Sequence, residues 1–503
     1  MSKNYQTASE DRISVPQKLF YGLGALCNNM LAAALGCMVI VLNLGLGMNP
    51  VLIGTIMSLS RFTDALTDPV MGYISDQTKS RWGRRRPYIV FGAVFSGLIF
   101  ALMWQLPSGH SQNFYFWFFL IGTNIFYIAY TIFATPFIAL GYEMTPDYHE
   151  RTRLMGTSNF MGQFAWLAVP WFYMIMENKH LFSNSVQGAR GLAIAVGVLV
   201  IATGILPGIF IKERYESIVE AEEKGHSFQG LVRNVKEFFR SFFVAIKFRP
   251  FLKLCAATFL VFNGFMVISS FSSYVIIYYV FGGDKSMGAT YMGWFGMVTS
   301  ICTFGAIVLV TWLSGKIGKR NAFFVAMSLS IIGYGMKWFC YNPKSPVMLL
   351  LPAPFIAFGL GALFTLVSAM MADVCDLDEL QNGHRREGMF GAIYWWMVKL
   401  GMALAFALSG VLLNSTGFHV DLGAAQSVRT LLLLRIFDIS IPIVTTLLAV
   451  LAIASYRINE QTARQVRKDL EKRRGKVPPD LPVPPDHPLS PGSSKDPARA
   501  VAL

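Results

Sequence analysis

Residues 60–86 read SRFTDALTDPVMGYISDQTKSRWGRRR, and this stretch decides both the fold class and the orientation of the chain. Its first half lies within a long apolar run yet carries Arg61, Asp64 and Asp68. Ionisable groups at membrane depth are costly and mark functional sites by default. Its second half is a burst of positive charge, Lys79, Arg81, Arg84, Arg85 and Arg86. Such a burst just past an apolar run marks the cytoplasmic side.

Around this stretch the composition is that of a membrane protein. Of 503 residues, 54% are hydrophobic and only 14% charged, and the mean hydropathy is +0.47. A soluble domain would carry about 25% charged residues. Twelve apolar segments are predicted, at about 17–46, 50–75, 87–106, 113–142, 156–176, 190–211, 250–281, 288–314, 321–341, 346–372, 388–414 and 427–456. In lipid each backbone polar group must be satisfied within its own segment, so the runs read as helices. They lack the short polar–apolar alternation of a barrel.

Loop charges orient the chain. The loops after segments 2, 4, 8 and 10 hold Lys79, Arg81, Arg84, Arg85, Arg86, Arg151, Arg153, Lys316, Lys319, Arg320, Arg385 and Arg386. The opposite loops hold Lys179, Arg190, Lys285 and Lys344. Twelve against four places both termini in the cytoplasm, and a plasma (inner) membrane is the expected location. The net charge of +14 is explained by these loops and the tail, so nucleic acid is not an expected partner. Membrane lipid is.

The chain divides into a cytoplasmic N-terminal segment (1–16), a six-helix half (17–211), a linker (212–249), a second six-helix half (250–456) and a disordered cytoplasmic tail (457–503). The first 16 residues lack the pattern of a cleaved signal peptide. The linker turns amphipathic through Leu231, Val232, Val235, Phe238 and Phe239; a surface helix and a plain tether both fit. Gly315–Arg320 follows segment 8 as Asp76–Arg86 follows segment 2, a weak internal repeat. Paired six-helix halves are a transporter architecture with a site at their interface. The tail is rich in proline, from Pro478 to Pro491, and cannot bury enough apolar surface to fold alone.

In a helical segment 2, Asp64 and Asp68 share one face, about 6 Å apart at Cβ. With Thr67 beside them they offer the oxygen ligands of a small hard cation, and two like charges in low dielectric also suit a shared proton. A structural ion pair of Arg61 with one aspartate is the competing reading, and it leaves the other without a counter-ion. Pro69 loosens the local backbone bonding. Thr131 in segment 4 is a further candidate cation ligand if segments 2 and 4 pack together, with a hydroxyl bonded back to its own helix as the alternative. Asn29 in segment 1 and Trp395, Trp396 and Lys399 in segment 11 are candidate substrate contacts. Lys399 is also a candidate partner of either aspartate. Interhelical packing is the alternative for Asn29 and the tryptophans, and snorkelling for Lys399. The charges at the cytoplasmic ends, Asp76, Arg81, Glu143, Asp147, Arg151, Arg153, Asp373 and Asp376, read with Arg61 as a gating or ion-pair network. No nucleophile constellation, phosphate-binding glycine loop or metal-ligand cluster emerges, so neither an enzyme nor a cofactor is expected. The six cysteines show no metal spacing.

At these residues the chain resembles the glycoside–pentoside–hexuronide:cation symporter family (melibiose permease-like) of the major facilitator superfamily. The resemblance runs from about Lys18 to Tyr456. Arg61–Pro69 followed by Arg81–Pro87 is its most specific piece, and Tyr21–Gly24, Thr131–Phe137 and Met397–Gly401 match in order. It implies an all-α membrane protein of twelve transmembrane helices that couples a sodium ion or a proton to uptake of a sugar, glycoside or uronide. It places the cation among the positions of Asp64, Thr67, Asp68 and Thr131, and Lys399 between cation and sugar. Two departures bear on the passenger: Asn29 and Ala134 stand where the family carries sugar-binding aspartates. A related eukaryotic branch carries lysolipids and has a similar Asp-Ala-x-Thr-Asp-Pro stretch, so an amphipathic solute is an alternative. A transport-inactive sensor or scaffold is the alternative of another class, and a salt-locked Arg61–Asp64–Asp68–Lys399 cluster would fit it.

Overall fold

The computed structural model describes residues 11–78, 80–105, 109–145, 148–213, 243, 245, 247–382, 387–456, 458 and 460–473. Each predicted segment is a helix: α1 (Val15–Met38, continued by Ile40–Leu44), α2 (Pro50–Gln77), α3 (Arg86–Met103), α4 (Gln112–Glu143), α5 (Tyr148–Ala168) and α6 (Ser185–Phe210). The second set is α7 (Arg249–Tyr274), α8 (Lys285–Ile317), α9 (Lys319–Cys340), α10 (Ala353–Asn382), α11 (Glu387–Ser415) and α12 (Val428–Ala454). Among the described residues no strand is present. Ten helical stretches are long and apolar enough to cross a membrane. The two that fall short are α2, with its charges inside, and α5, whose first turns are polar.

Local chemistry sets the turns. Five of the six helices that start at the face opposite the termini are capped by short polar side chains. Asn49, Ser111, Asn184, Asp284 and Ser427 accept from first-turn amides of α2, α4, α6, α8 and α12. Each cap satisfies a donor that lipid could not. Pro16, Pro87 and Pro250 open α1, α3 and α7, where no amide donor is needed. Pro170 breaks the far end of α5 into a 3-10 turn, Val169–Trp171, before Phe172–Met176 resumes the helix.

The packing repeats after six helices. α1 packs on α5 and α6, α3 on α4 and α6, and α2 on α4; α7 on α11 and α12, α9 on α10 and α12, and α8 on α10. The weak sequence repeat thus has a structural counterpart. The two halves meet mainly where α2 packs on α11 and where residues 169–176 pack on α8. At the face opposite the termini this contact is tight. A Cβ on Gly54 would lie 2.5 Å from the Phe406 carbonyl oxygen, and one on Gly410 would lie 2.4 Å from that of Pro50. Trp171 meets Trp294 edge-on at 5.2 Å, and Tyr274 Oη donates to Asn43 Oδ1 across the halves at 2.8 Å.

One expectation is corrected. The tail is not structureless from residue 457: α13 (Glu460–Arg473) buries Val466 and Leu470 in the core of the second half, against α10. An amphipathic turn pattern docked on an existing core folds where an isolated proline-rich chain does not. The proline-rich part lies outside the described residues, as does the amphipathic stretch of the linker. Residues 11–14 are docked on α5. Ile13 is buried, its amide donates to Glu150 Oε1 at 3.0 Å, and Lys18 Nζ lies 2.6 Å from the same oxygen.

Candidate functional site

Three helices from both halves, α2, α4 and α11, build one polar cluster. Asp64 is fully buried on α2 and Arg61, one turn earlier, donates to its Oδ2 at 3.2 Å. The Arg61 guanidinium lies over the Tyr127 ring of α4, 4.7 Å from its centroid. That stacking favours the desolvated cation. Thr131 of α4 donates to Asp64 Oδ1 at 3.1 Å and lies 3.1 Å from Thr67 Oγ1. Asp68, one turn further, accepts from Thr131 at 3.4 Å and from Thr135 at 3.3 Å. Lys399 of α11 closes the cluster, its Nζ 2.5 Å from Asp68 Oδ2 and 3.0 Å from Asp64 Oδ2. Asp64, Thr67, Asp68, Thr131, Arg61 and Lys399 are therefore brought together as the sequence predicts. Thr135 is an addition; its place one turn after Thr131 was the available signal.

The proline of this stretch has a clear consequence. In an α-helix the Ala65 carbonyl would accept from the amide of residue 69, and Pro69 has none. The Trp396 indole N–H of α11 donates to that carbonyl at 3.1 Å. Trp396 is thereby held across the halves, a packing role rather than an open stacking platform. Trp395 is turned away from this contact, stacked on Phe364 of α10 at 6.2 Å and exposed. Asn29 lies against α5, where a Cβ on Gly162 would meet its Nδ2. Among the described residues neither Trp395 nor Asn29 hydrogen-bonds to the cluster around Asp64.

A second network lies at the face that carries the termini. Arg85 Nη2 donates to Asp76 Oδ1 at 2.7 Å, and its Nε to Glu143 Oε2 at 3.0 Å; Arg84 Nη2 reaches Glu143 Oε1 at 2.6 Å. Arg85, not Arg81, joins α2 to α4. Arg81 lies exposed within the tight 80–83 turn, which directs the next two arginines inward. Asp147 and the Arg151 side chain lie outside the described residues. Arg153 donates to Glu150 at 3.2 Å. In the second half Lys319 pairs with Asp373 at 2.7 Å, the counterpart of the Arg84–Glu143 pair, and Asp376 is half-buried one turn on.

Glu213, at the start of the linker, was not singled out from sequence. Its carboxylate accepts from the backbone amides of Arg84, Arg85 and Arg86 at 2.7, 3.0 and 2.9 Å. Arg86 returns the clasp through the Gly208 and Ile209 carbonyls at the end of α6. An anion thus sits on the positive end of α3 and a cation on the negative end of α6. Losing a helix cap costs about 0.5–2 kcal/mol. Glu213→Ala is expected to lower stability by about that much, measured by chemical denaturation in detergent. Glu213→Asp is expected to restore part of it.

Solved structures share this architecture. A D-xylose–proton symporter aligns with a TM-score of 0.61 at 16% identity, over 88% of this chain and 97% of that one. Among curated relatives, the isoprimeverose transporter of Lactiplantibacillus pentosus is 24% identical, over 85% of both chains. The sodium-dependent lysophosphatidylcholine symporter 1 of Xenopus tropicalis is 22% identical, over 93% of this chain and 92% of its own. A family profile described as MFS/sugar transport protein matches residues 20–460. With that match spanning all twelve helices, the chain belongs to the MFS/sugar transport protein family and is a multi-pass integral membrane protein.

Proposed function

We propose that the chain is a secondary active transporter that couples a sodium ion or a proton to movement of a sugar, glycoside or uronide. Both termini lie in the cytoplasm on this reading, so the conformation is closed outside, where Gly54 meets α11 and Tyr274 meets Asn43. The observation that carries the proposal is the Lys399 ammonium between Asp64 and Asp68. Two carboxylates face two cations, Arg61 and Lys399, so the cluster is neutral as it stands. A cation entering among the Asp64, Asp68, Thr67 and Thr131 oxygens must displace the ammonium. The freed Lys399 then turns to the substrate, and the tie between α2 and α11 is remade. Because these helices belong to different halves, ion binding acts on the contact that alternating access must break. The coupling is reciprocal: the cation tightens substrate binding as much as substrate tightens the cation's.

The same cluster is what a transport-inactive scaffold would use as a lock. Against a permanent lock stands its incomplete burial: the side chains of Asp68 and Lys399 are 32% and 20% exposed. A lysolipid or other amphipathic passenger is the second reading. It is favoured by Ala134 in place of a carboxylate and by the exposed Phe160 and Phe164 of α5. Reconstituted vesicles with an imposed sodium or proton gradient separate these readings. The labelled probes are methyl α-D-xyloside, methyl β-D-glucuronide and lysophosphatidylcholine. Symport predicts accumulation of one glycoside above equilibrium under one gradient, abolished when that gradient is dissipated. Accumulation of the lysolipid alone supports the second reading, and accumulation of none under either gradient supports the scaffold.

A further inference from the structure

Among the described residues the transport reading does not use a buried charge cluster in the second half. Lys337 on α9 and Asp438 on α12 form an ion pair in which each side chain is 1% exposed. Nζ lies 3.1 and 3.0 Å from the two carboxylate oxygens. Ser272 of α7 completes the triad: it accepts from Lys337 at 2.7 Å and donates to Asp438 Oδ1 at 2.6 Å. One turn from Asp438, Arg435 lies between two rings, 4.1 Å from the Tyr279 centroid and 4.3 Å from that of Trp338. Its Nη2 also donates to the Trp338 carbonyl at 2.7 Å.

These contacts grip the end of α7, at Ser272 just before an unusual segment and at Tyr279 within it. Residues Val275–Val280 wind as a π-helix. Such turns are rare and concentrate at functional sites. The segment carries the aromatic closure of the outer face. Tyr274 bonds Asn43 of the other half, and Tyr274 and Tyr278 both pack edge-on against Phe418, at 4.9 and 4.8 Å. Reverting the π-turn to α-helix shifts the register by one residue, about 100° of rotation. Tyr278 and Tyr279 would then turn relative to Tyr274 and the closure would not form. Stability alone gives little reason for the triad, because a buried ion pair is often replaceable by apolar residues at no loss. What apolar residues cannot supply is a directional bond to Ser272.

We propose that Lys337 and Asp438, acting through Ser272, are positioning residues of the outer gate: they fix the end of α7 in the register that brings Tyr274 to Asn43. The inference rests on the two halves closing at this face and needs neither the passenger nor the coupling ion. The full chain in lipid nanodiscs tests it by hydrogen exchange with mass spectrometry. In the double variant Lys337→Met/Asp438→Leu, peptides over 40–48 and 274–283 are expected to exchange about tenfold faster, with peptides over 253–265 and 443–453 unchanged and the melting temperature not lowered. Ser272→Ala is expected to act in the same direction with the ion pair intact. Tyr274→Phe is expected to accelerate the same peptides and to add nothing to the double variant, as residues in one pathway do. Wild-type exchange at both gate peptides in the double variant and in Ser272→Ala would overturn the proposal. So would acceleration spread over α7, α9 and α12 with a lowered melting temperature, which is the mark of a purely structural pair. If the double variant does not fold, Ser272→Ala decides alone.

Discussion

Asp68→Asn is expected to abolish gradient-driven accumulation while the protein remains folded. With Asp68 neutral, Asp64 stands alone against Arg61 and Lys399, and the cluster carries a net positive charge. An entering cation then meets an uncompensated unit charge about 4 Å away, worth about 4 kcal/mol at an effective dielectric of 20. That corresponds to roughly a thousandfold loss of cation affinity. Asp68 is the partly exposed member of the pair, so its loss leaves the buried Arg61–Asp64 contact in place. Lys399→Met is expected to do the reverse to the ion. The two carboxylates keep one counter-charge, so the cation binds more tightly, by tens-fold or more. Accumulation still fails, because the ammonium that exchanges with the ion is gone. Cation binding and gradient-driven uptake, measured on the same preparations, separate the two variants.

Gly410→Leu is expected to have a comparably large effect by a different route. The clash it creates is with backbone, the Pro50 carbonyl, which cannot rotate aside. Inserting a side chain into a packed contact costs about 1–3 kcal/mol, and more where only backbone can move. That cost falls on the state closed at the outer face and vanishes when α2 and α11 separate. A shift of about 2–3 kcal/mol moves the equilibrium about 30- to 150-fold toward the open form. A cysteine at Leu44, which is buried under the closure, reports it through labelling by a membrane-impermeant maleimide. Faster labelling with slowed transport is the expected result. Unchanged labelling would show that the α2–α11 contact is not part of the gate.

Much of this was legible in the sequence because membrane depth makes rare residues informative. Asp64, Asp68 and Lys399 stood out as charges in apolar runs, and the structure joins them. The same rule applies to Lys337 and Asp438, but Lys337 sits alone in its segment and Asp438 shares its segment with Arg435, which faces a different partner. No i,i+4 partner on either helix drew attention to them, because the partners lie 101 residues apart. The terminal-face network was legible as a charge cluster but not as pairs. Among five clustered positives, sequence could not choose Arg85 over Arg81, since the 80–83 turn makes that choice. Glu213 was hidden because its partners are backbone amides, which no residue type reveals. Trp395 and Trp396 show the same limit. Adjacent residues on a helix point about 100° apart, and only the neighbouring helices decide which one meets α2.

The central claim is that Lys399 and the coupling cation compete for the same carboxylates. It is tested most directly by the melting temperature of the purified chain, titrated with sodium at fixed pH and with acid in the absence of sodium. A ligand of the folded state stabilises it by RT ln(1 + [L]/Kd), so the melting temperature reads affinity without a passenger. The account predicts that one of the two cations stabilises the wild type, that Lys399→Met responds at lower concentrations, and that Asp68→Asn responds to neither. Identical responses in all three proteins would contradict it.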